Sequence, residues 1–274
     1  MRGVILSMSN IDQTDEEQTT DAFLGGRLIM AQPRHGYRAG LDAVLLAAAV
    51  PSGRPGQALS VLDLGAGVGV VGLCIATRLA AATVTLLETQ PLLVRLAVAN
   101  VERHGLAPRI RVIAADVHDA PQHLLARGLE ADTFDHVVCN PPFDIEGHGR
   151  APPNAVKARS HAMAAGELER WARVLARYCR PAGMVSMIHR ADALGAVLAA
   201  LDRRFGGLRV LPLHPRAGEP ATRVIVQGIK GSRAPLVLRS GLVLHNADGH
   251  DFSAEVQAVL RDGAALSAGG DKIA

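Results

Sequence analysis

The chain has 274 residues, 49% of them hydrophobic, which is enough for one sizeable core, but with aromatics at only 3% that core must be built from Ala, Val and Leu. A formal net charge of +3, carried almost wholly by Arg with Lys only at 157, 230 and 272, permits an anionic partner without demanding one. Cys74, Cys139 and Cys179 sit singly in apolar stretches, which excludes a zinc or disulfide framework, and no apolar run reaches bilayer length, so a soluble cytoplasmic protein with no membrane contact and no metal is expected.

Residues 1–21 are polar and acidic (Asp12, Asp15, Glu16, Glu17, Asp21) without a hydrophobic period, and read as a disordered head. Leu41 to Val50 reads as a helix capped near Asp42 and stopped by Pro51. Beyond a Pro/Gly linker, short apolar strands alternate with helices. Strands are expected at 59–64, 83–88, 109–114, 134–139, 184–188, 208–213 and 223–228. Helices follow the first three strands, ending near 81, 104 and 125; two more cover 167–179 and 191–204. This alternation predicts an α/β fold with a doubly wound, mostly parallel, seven-stranded sheet. The last two strands are joined by a loop alone, so the final strand should run antiparallel. The domain is expected to span 22–262, with a short helix near 254–261 and a flexible tail at 263–274.

The segment Leu62-Asp63-Leu64-Gly65-Ala66-Gly67-Val68-Gly69 ends one strand and opens a helix. A chain that turns this tightly around a ligand needs positions without a Cβ. Gly67-x-Gly69-x-x-Gly72 formally fits the dinucleotide fingerprint, with Glu88 as the ribose acid. That match starts two residues late, however. The first glycine after the strand is Gly65, and Asp63-x-Gly65-x-Gly67-x-Gly69 resembles the first motif of class I methyltransferases, where the loop wraps the methionine part of S-adenosylmethionine. Glu88, ending the second strand, can accept both ribose hydroxyls. Asp116, past the third strand, can accept from the cofactor's adenine amine or simply cap a helix.

The fourth strand leads straight into Asn140-Pro141-Pro142-Phe143. Ligands of open α/β sheets sit beyond the carboxyl ends of the strands, so this segment faces the cofactor. The Asn140 carbonyl can accept one hydrogen of a substrate NH2, and the rigidly held Pro141 carbonyl the other. Both bonds localise the nitrogen lone pair and make it a nucleophile toward a sulfonium methyl. Phe143 offers a face on which a planar base can stack. Alone, Asn-Pro-Pro is also an ordinary turn.

Together the two motifs resemble the amino-methylating class I methyltransferases. Within them the chain is similar to the bacterial family that methylates the adenine N6 next to the anticodon of valine tRNA. Gly36 to Ala47, with Arg38 and the pair Asp42-Ala43, is similar to the family's segment ahead of the glycine turn. Lys157-Ala158-Arg159-Ser160-His161 is similar to its Ala-Arg-His segment, and Pro235 to Glu255 to its closing strand and helix. Leu41 stands where the family usually has Thr, and Ser160 interrupts the Ala-Arg-His run. The resemblance implies S-adenosylmethionine as cofactor, held by Asp63, Gly65, Gly67, Gly69, Glu88, Asp116 and Asn140. It implies catalysis by Asn140, Pro141 and Phe143 and tRNA as partner, with Arg38, Asp42, Lys157 and Arg159 flanking the pocket.

Arg170, Arg173, Arg177 and Arg180 share one helical face, either a phosphate-contacting stripe led by Arg173 and Arg177 or a solvated surface. The rival acceptor is a glutamine side chain of a peptide-release factor, also a planar NH2; those enzymes carry a helical substrate domain ahead of the glycine turn. A cofactor-binding regulator without activity would have lost Asn140 or the turn, and both are intact.

Calorimetry should show heat with S-adenosylmethionine and none with nicotinamide dinucleotides. Glu88→Ala should weaken cofactor binding by about 1.5–3 kcal/mol, the usual size for hydrogen bonds to a charged group. Tight dinucleotide binding without cofactor heat would sink the assignment.

Overall fold

Aliphatic runs of five or six residues cannot leave one side to water, so each becomes a strand covered on both faces. The computed structural model describes residues 18–36, 38–53, 58–142 and 153–266, the last with backbone alone for 153–165. The principal strands are β3 (Leu59–Leu64), β4 (Ala82–Glu88), β5 (Ile110–Ala114), β6 (Phe134–Cys139), β7 (Cys179–Arg190), β8 (Phe205–His214) and β9 (Arg223–Lys230), preceded by the hairpin β1 (Gln18–Phe23) and β2 (Leu28–Pro33). The sheet order is β5-β4-β3-β6-β7-β9-β8, all parallel except β9, which runs antiparallel to β7 and β8. The short strands β10 (Val237–Leu238) and β11 (Leu242–Val243) add to β8 and bring the sheet to nine strands among the described residues, where seven were expected.

Helices cover both faces. Val61, Val84, Leu86 and Val138 point toward α1 (Leu41–Ala48), α2 (Val70–Arg78) and α3 (Pro91–Arg103). Leu62, Leu64, Leu87, Val137 and Cys139 point toward α4 (Pro121–Ala126), α5 (Pro153–Tyr178) and α6 (Leu194–Leu201). The alternation within each strand is the two-residue pleat, with both faces apolar. The chain closes with α7 (Ala254–Gln257), capped by the Ser253 hydroxyl.

Several boundaries differ from expectation, each because partners distant in sequence decide them. Gln18 to Asp21 fall in the segment expected to be disordered, yet form β1, paired residue by residue with β2. This strand is polar on both faces and is held by Asp21, which accepts from Gln32 and Arg38. Residues 1–17 lie outside the described residues. Gly40, not Asp42, caps α1, with no side-chain bond; Asp42 instead pairs with Arg223 Nε at 2.9 Å. Helix α5 begins at Pro153, well before the expected Glu167. Of the tail expected to be flexible, Leu266 is docked, its N–H donating to Ala48 O at 3.0 Å, and 267–274 lie outside the described residues.

One buried polar side chain ties the hairpin to the rest. Asn100 on α3 is fully buried; its Oδ1 accepts from Ala31 N at 2.7 Å, and its Nδ2 donates to Ala31 O at 3.0 Å and Val68 O at 3.1 Å. The amide thus satisfies strand β2 and the glycine turn at once. Asn100→Ala would strand three buried backbone groups, so urea unfolding should show a loss of about 2–4 kcal/mol. A loss below about 1 kcal/mol would mean water replaces the amide.

Candidate active site

Register brings the expected site residues to one edge. Leu64 lies opposite both Leu87 and Cys139, and Glu88 opposite Ala114. The next residues along these strands are Gly65, Asn140 and the Ala115-Asp116 pair, all at the carboxyl edge of the sheet. Neighbouring strands are about 4.8 Å apart, so Gly65 and Asn140 leave the sheet side by side.

The turn between β3 and α2 runs through left-handed backbone at Gly65, Gly67 and Gly69, with φ of 66°, 57° and 90°. Such a path strands backbone donors, and two acids collect them. Glu88 Oε2 accepts from Gly67 N at 2.9 Å, and Oε1 accepts from Thr89 N and Gln90 N, also at 2.9 Å. Asp63 Oδ2 accepts from Gly72 N at 3.1 Å, in the first turn of α2. A Cβ on Gly72 would lie 2.3 Å from Leu86 Cδ2, so this glycine serves the packing of α2 on β4. The third glycine of a dinucleotide fingerprint has the same packing role, so Gly72 fits either cofactor class.

Charge separates the two cofactor readings. Burial pushes the Asp63 carboxyl up to about 7, the Gly72 hydrogen bond opposes that, and the nearby Glu88 carboxylate adds to the rise. The Glu88 carboxylate beside the turn attracts the sulfonium cation of S-adenosylmethionine and disfavours a pyrophosphate, while Asp63 keeps its proton more readily than a free carboxyl.

The remaining expected residues fare differently. Asn140 is half-buried, with no hydrogen-bond partner for its amide among the described residues; Pro141 is buried and Pro142 exposed. Asp116 is exposed, and its Oδ1 accepts from His118 N at 2.8 Å, closing a local turn beside the site. Arg38 is held by Asp21, Thr19 and the Pro33 carbonyl, and Asp42 by Arg223, so both carry structural bonds at this edge. Arg173 and Arg177 are exposed on α5. Arg177 lies at the far end of β6, where its carbonyl accepts from Asp132 N, about 20 Å of strand from Asn140. The structure does not bring Arg177 to the site. Of the expected stripe, Arg170 pairs with Glu167 and Arg180 with Asp135. Phe143 and the side chains of Lys157 and Arg159 lie outside the described residues.

Sequence reading missed Asn100 and Trp171. Asn100 had a signal, being the polar member of the apolar stripe Leu93, Leu96, Ala97, Asn100, Val101. Trp171 had only its rarity, as the single tryptophan of the chain.

Fold and site together define a methyltransferase that uses S-adenosylmethionine. The chain belongs to the class I S-adenosylmethionine-dependent methyltransferases, and its residues 41–168 match the family described as the methyltransferase small domain. A solved structure described as a predicted O-methyltransferase from Agrobacterium tumefaciens superposes with a TM-score of 0.68 at 34% identity, covering 82% of this chain and 98% of that one. A protein of Shewanella loihica named tRNA1(Val) (adenine(37)-N6)-methyltransferase is 31% identical over 58% of this chain, which spans 63% of its length. A protein of the same name from Shewanella halifaxensis is 27% identical over 83% of this chain and 84% of its own. The chain thus spans somewhat under two thirds of the first of these curated relatives.

The raised Asp63 carboxyl has a stability consequence. The folded protein holds a proton that the unfolded chain releases near pH 4, so this contribution is full below that pH and is lost as pH rises through about 7. His136, which burial pushes down to about 3, acts oppositely, losing stability as pH falls below about 6.5, but it is common to wild type and variant and cancels between them. Wild type should therefore lose unfolding free energy relative to Asp63→Asn between pH 4 and 7. Parallel curves across that window would show that Asp63 ionises normally.

Proposed function

We propose that this protein transfers a methyl group from S-adenosylmethionine to the exocyclic N6 amine of an adenine in tRNA, the adenine next to the anticodon of valine tRNA. The observation that carries the reading is Asn140, half-buried, leaving β6 directly beside the glycine turn, with the buried Pro141 after it. S-adenosylmethionine supplies an electrophilic methyl on a sulfonium. Asn140 Oδ1 and the Pro141 carbonyl accept the two N–H bonds of the amine, hold the lone pair toward the methyl, and bind the nitrogen more tightly as it gains positive charge. Phe143 stacks on the extruded base, and in-line positioning supplies the rest of the acceleration. The turn with Glu88 and Asp116 holds the cofactor. Lys157, Arg159, Arg173 and Arg177 are assigned to RNA phosphates, with Arg38 and Asp42 shaping the edge they approach. The names of the two Shewanella relatives support the tRNA acceptor and, with it, a cytoplasmic setting.

Asn140→Ala should depress single-turnover methylation of tRNA by a factor on the order of hundreds, as when one preorganised polar group leaves an active site. Cofactor affinity, measured in parallel, should hardly move. Near-normal turnover in this variant would exclude amino methylation and point to an oxygen acceptor, the kind for which the Agrobacterium protein is named. Labelled methyl appearing in a release factor and not in tRNA would replace the adenine by a glutamine amide.

A further inference from the structure

Trp171 lies on α5 and is 7% exposed, although the strands beneath it are lined by much smaller side chains. Its ring tip rests on the glycine turn: a Cβ added to Gly65 would lie 2.8 Å from Trp171 Cη2. On its other side the indole meets the His118 ring edge-on, with centroids 6.0 Å apart and planes at 81°. The His118 backbone N–H donates to Asp116 Oδ1, and its ring Nε2 stands 3.6 Å from Glu167 Oε2 on the same helix as the indole. One rigid side chain therefore touches both the turn after β3 and the loop after β5, two segments at the carboxyl edge of the sheet, where ligands of such sheets sit. A leucine at 171 would be too short to span both.

We propose that Trp171 is a positioning residue for the cofactor, its ring setting the spacing between the Gly65 turn and the His118 loop. The proposal rests on S-adenosylmethionine being the ligand of that turn. It concerns how tightly the cofactor is held, whereas Asn140 governs the acceptor. Gly65 is then constrained twice, by its left-handed backbone and by the indole against its Cα.

The test is calorimetry with S-adenosylmethionine and S-adenosylhomocysteine on the full chain, with single-turnover methylation at saturating cofactor. Trp171→Ala should raise the cofactor Kd about tenfold or more, whereas Trp171→Phe, which keeps an aromatic body, should stay within about threefold of wild type. The loss should fall on cofactor KM, with kcat at saturation changed less than about threefold. Gly65→Ala should also weaken binding. Because its methyl would collide with the indole, the Gly65→Ala/Trp171→Ala double variant should bind no worse than Gly65→Ala alone. As the chain has a single tryptophan, emission should change on cofactor addition with the calorimetric midpoint. A folded Trp171→Ala protein with wild-type Kd, or multiplicative losses in the double variant, would overturn the proposal. If Trp171→Ala does not fold, Trp171→Leu and His118→Ala carry the same test, each expected to weaken binding, and unchanged affinity in both would overturn it. Wild type that binds neither ligand would instead remove the cofactor reading itself.

Discussion

A turn that passes three times through left-handed backbone strands N–H groups that no helix or strand can satisfy. The site exists because two carboxylates at the ends of β3 and β4 take those donors up. Glu88 reaches across from the neighbouring strand, so the turn is fixed relative to β4. Asp63 reaches forward into α2, so the helix is fixed relative to β3. The close approach of α2 to β4 at Gly72 then sets how tightly that helical layer packs on the sheet. Asn100 adds the hairpin to the same assembly by holding the Val68 carbonyl of the turn together with strand β2.

The same carboxylates decide the chemistry. Burial in an apolar layer makes the Asp63 charge costly, and a second acid nearby makes it costlier. A cation bound at the turn relieves both effects, and an anion aggravates them. An acid beside the turn favours a sulfonium over a pyrophosphate, a distinction that the glycine spacing alone leaves open. Asn140 leaves β6, while the acids stand on β3 and β4. They meet only because the parallel register aligns Leu64 with Cys139.

Helix α5 links these parts. It follows the Asn140 segment in the chain, lays Leu168, Ala172 and Leu175 on the sheet, and places Trp171 against the turn. Its exposed face carries Arg173 and Arg177, the latter at the far end of β6 from Asn140.

The strands β3 to β9, their order of appearance and the antiparallel last member were legible in the sequence, because fully buried strands are written as short aliphatic runs and crossovers as helical stretches between them. The placing of Gly65, Glu88 and Asn140 at one edge of the sheet was legible too, since each sits at the end of such a run. What the sequence alone could not determine was held by contacts distant along the chain. The hairpin at Gln18–Pro33 is polar along β1 and is stabilised through Gln32, Arg38 and Asn100, so no local pattern announces it. That Asp42 pairs with Arg223 and Arg38 with Asp21 is equally invisible in the sequence, since the partners stand far apart along the chain. The roles of Trp171 and Gly72 depend on which backbone lies across from them, and only the packed tertiary structure decides that. Local preference acts over a few residues, whereas a close approach between α5 and the β3 turn is set by the whole sheet.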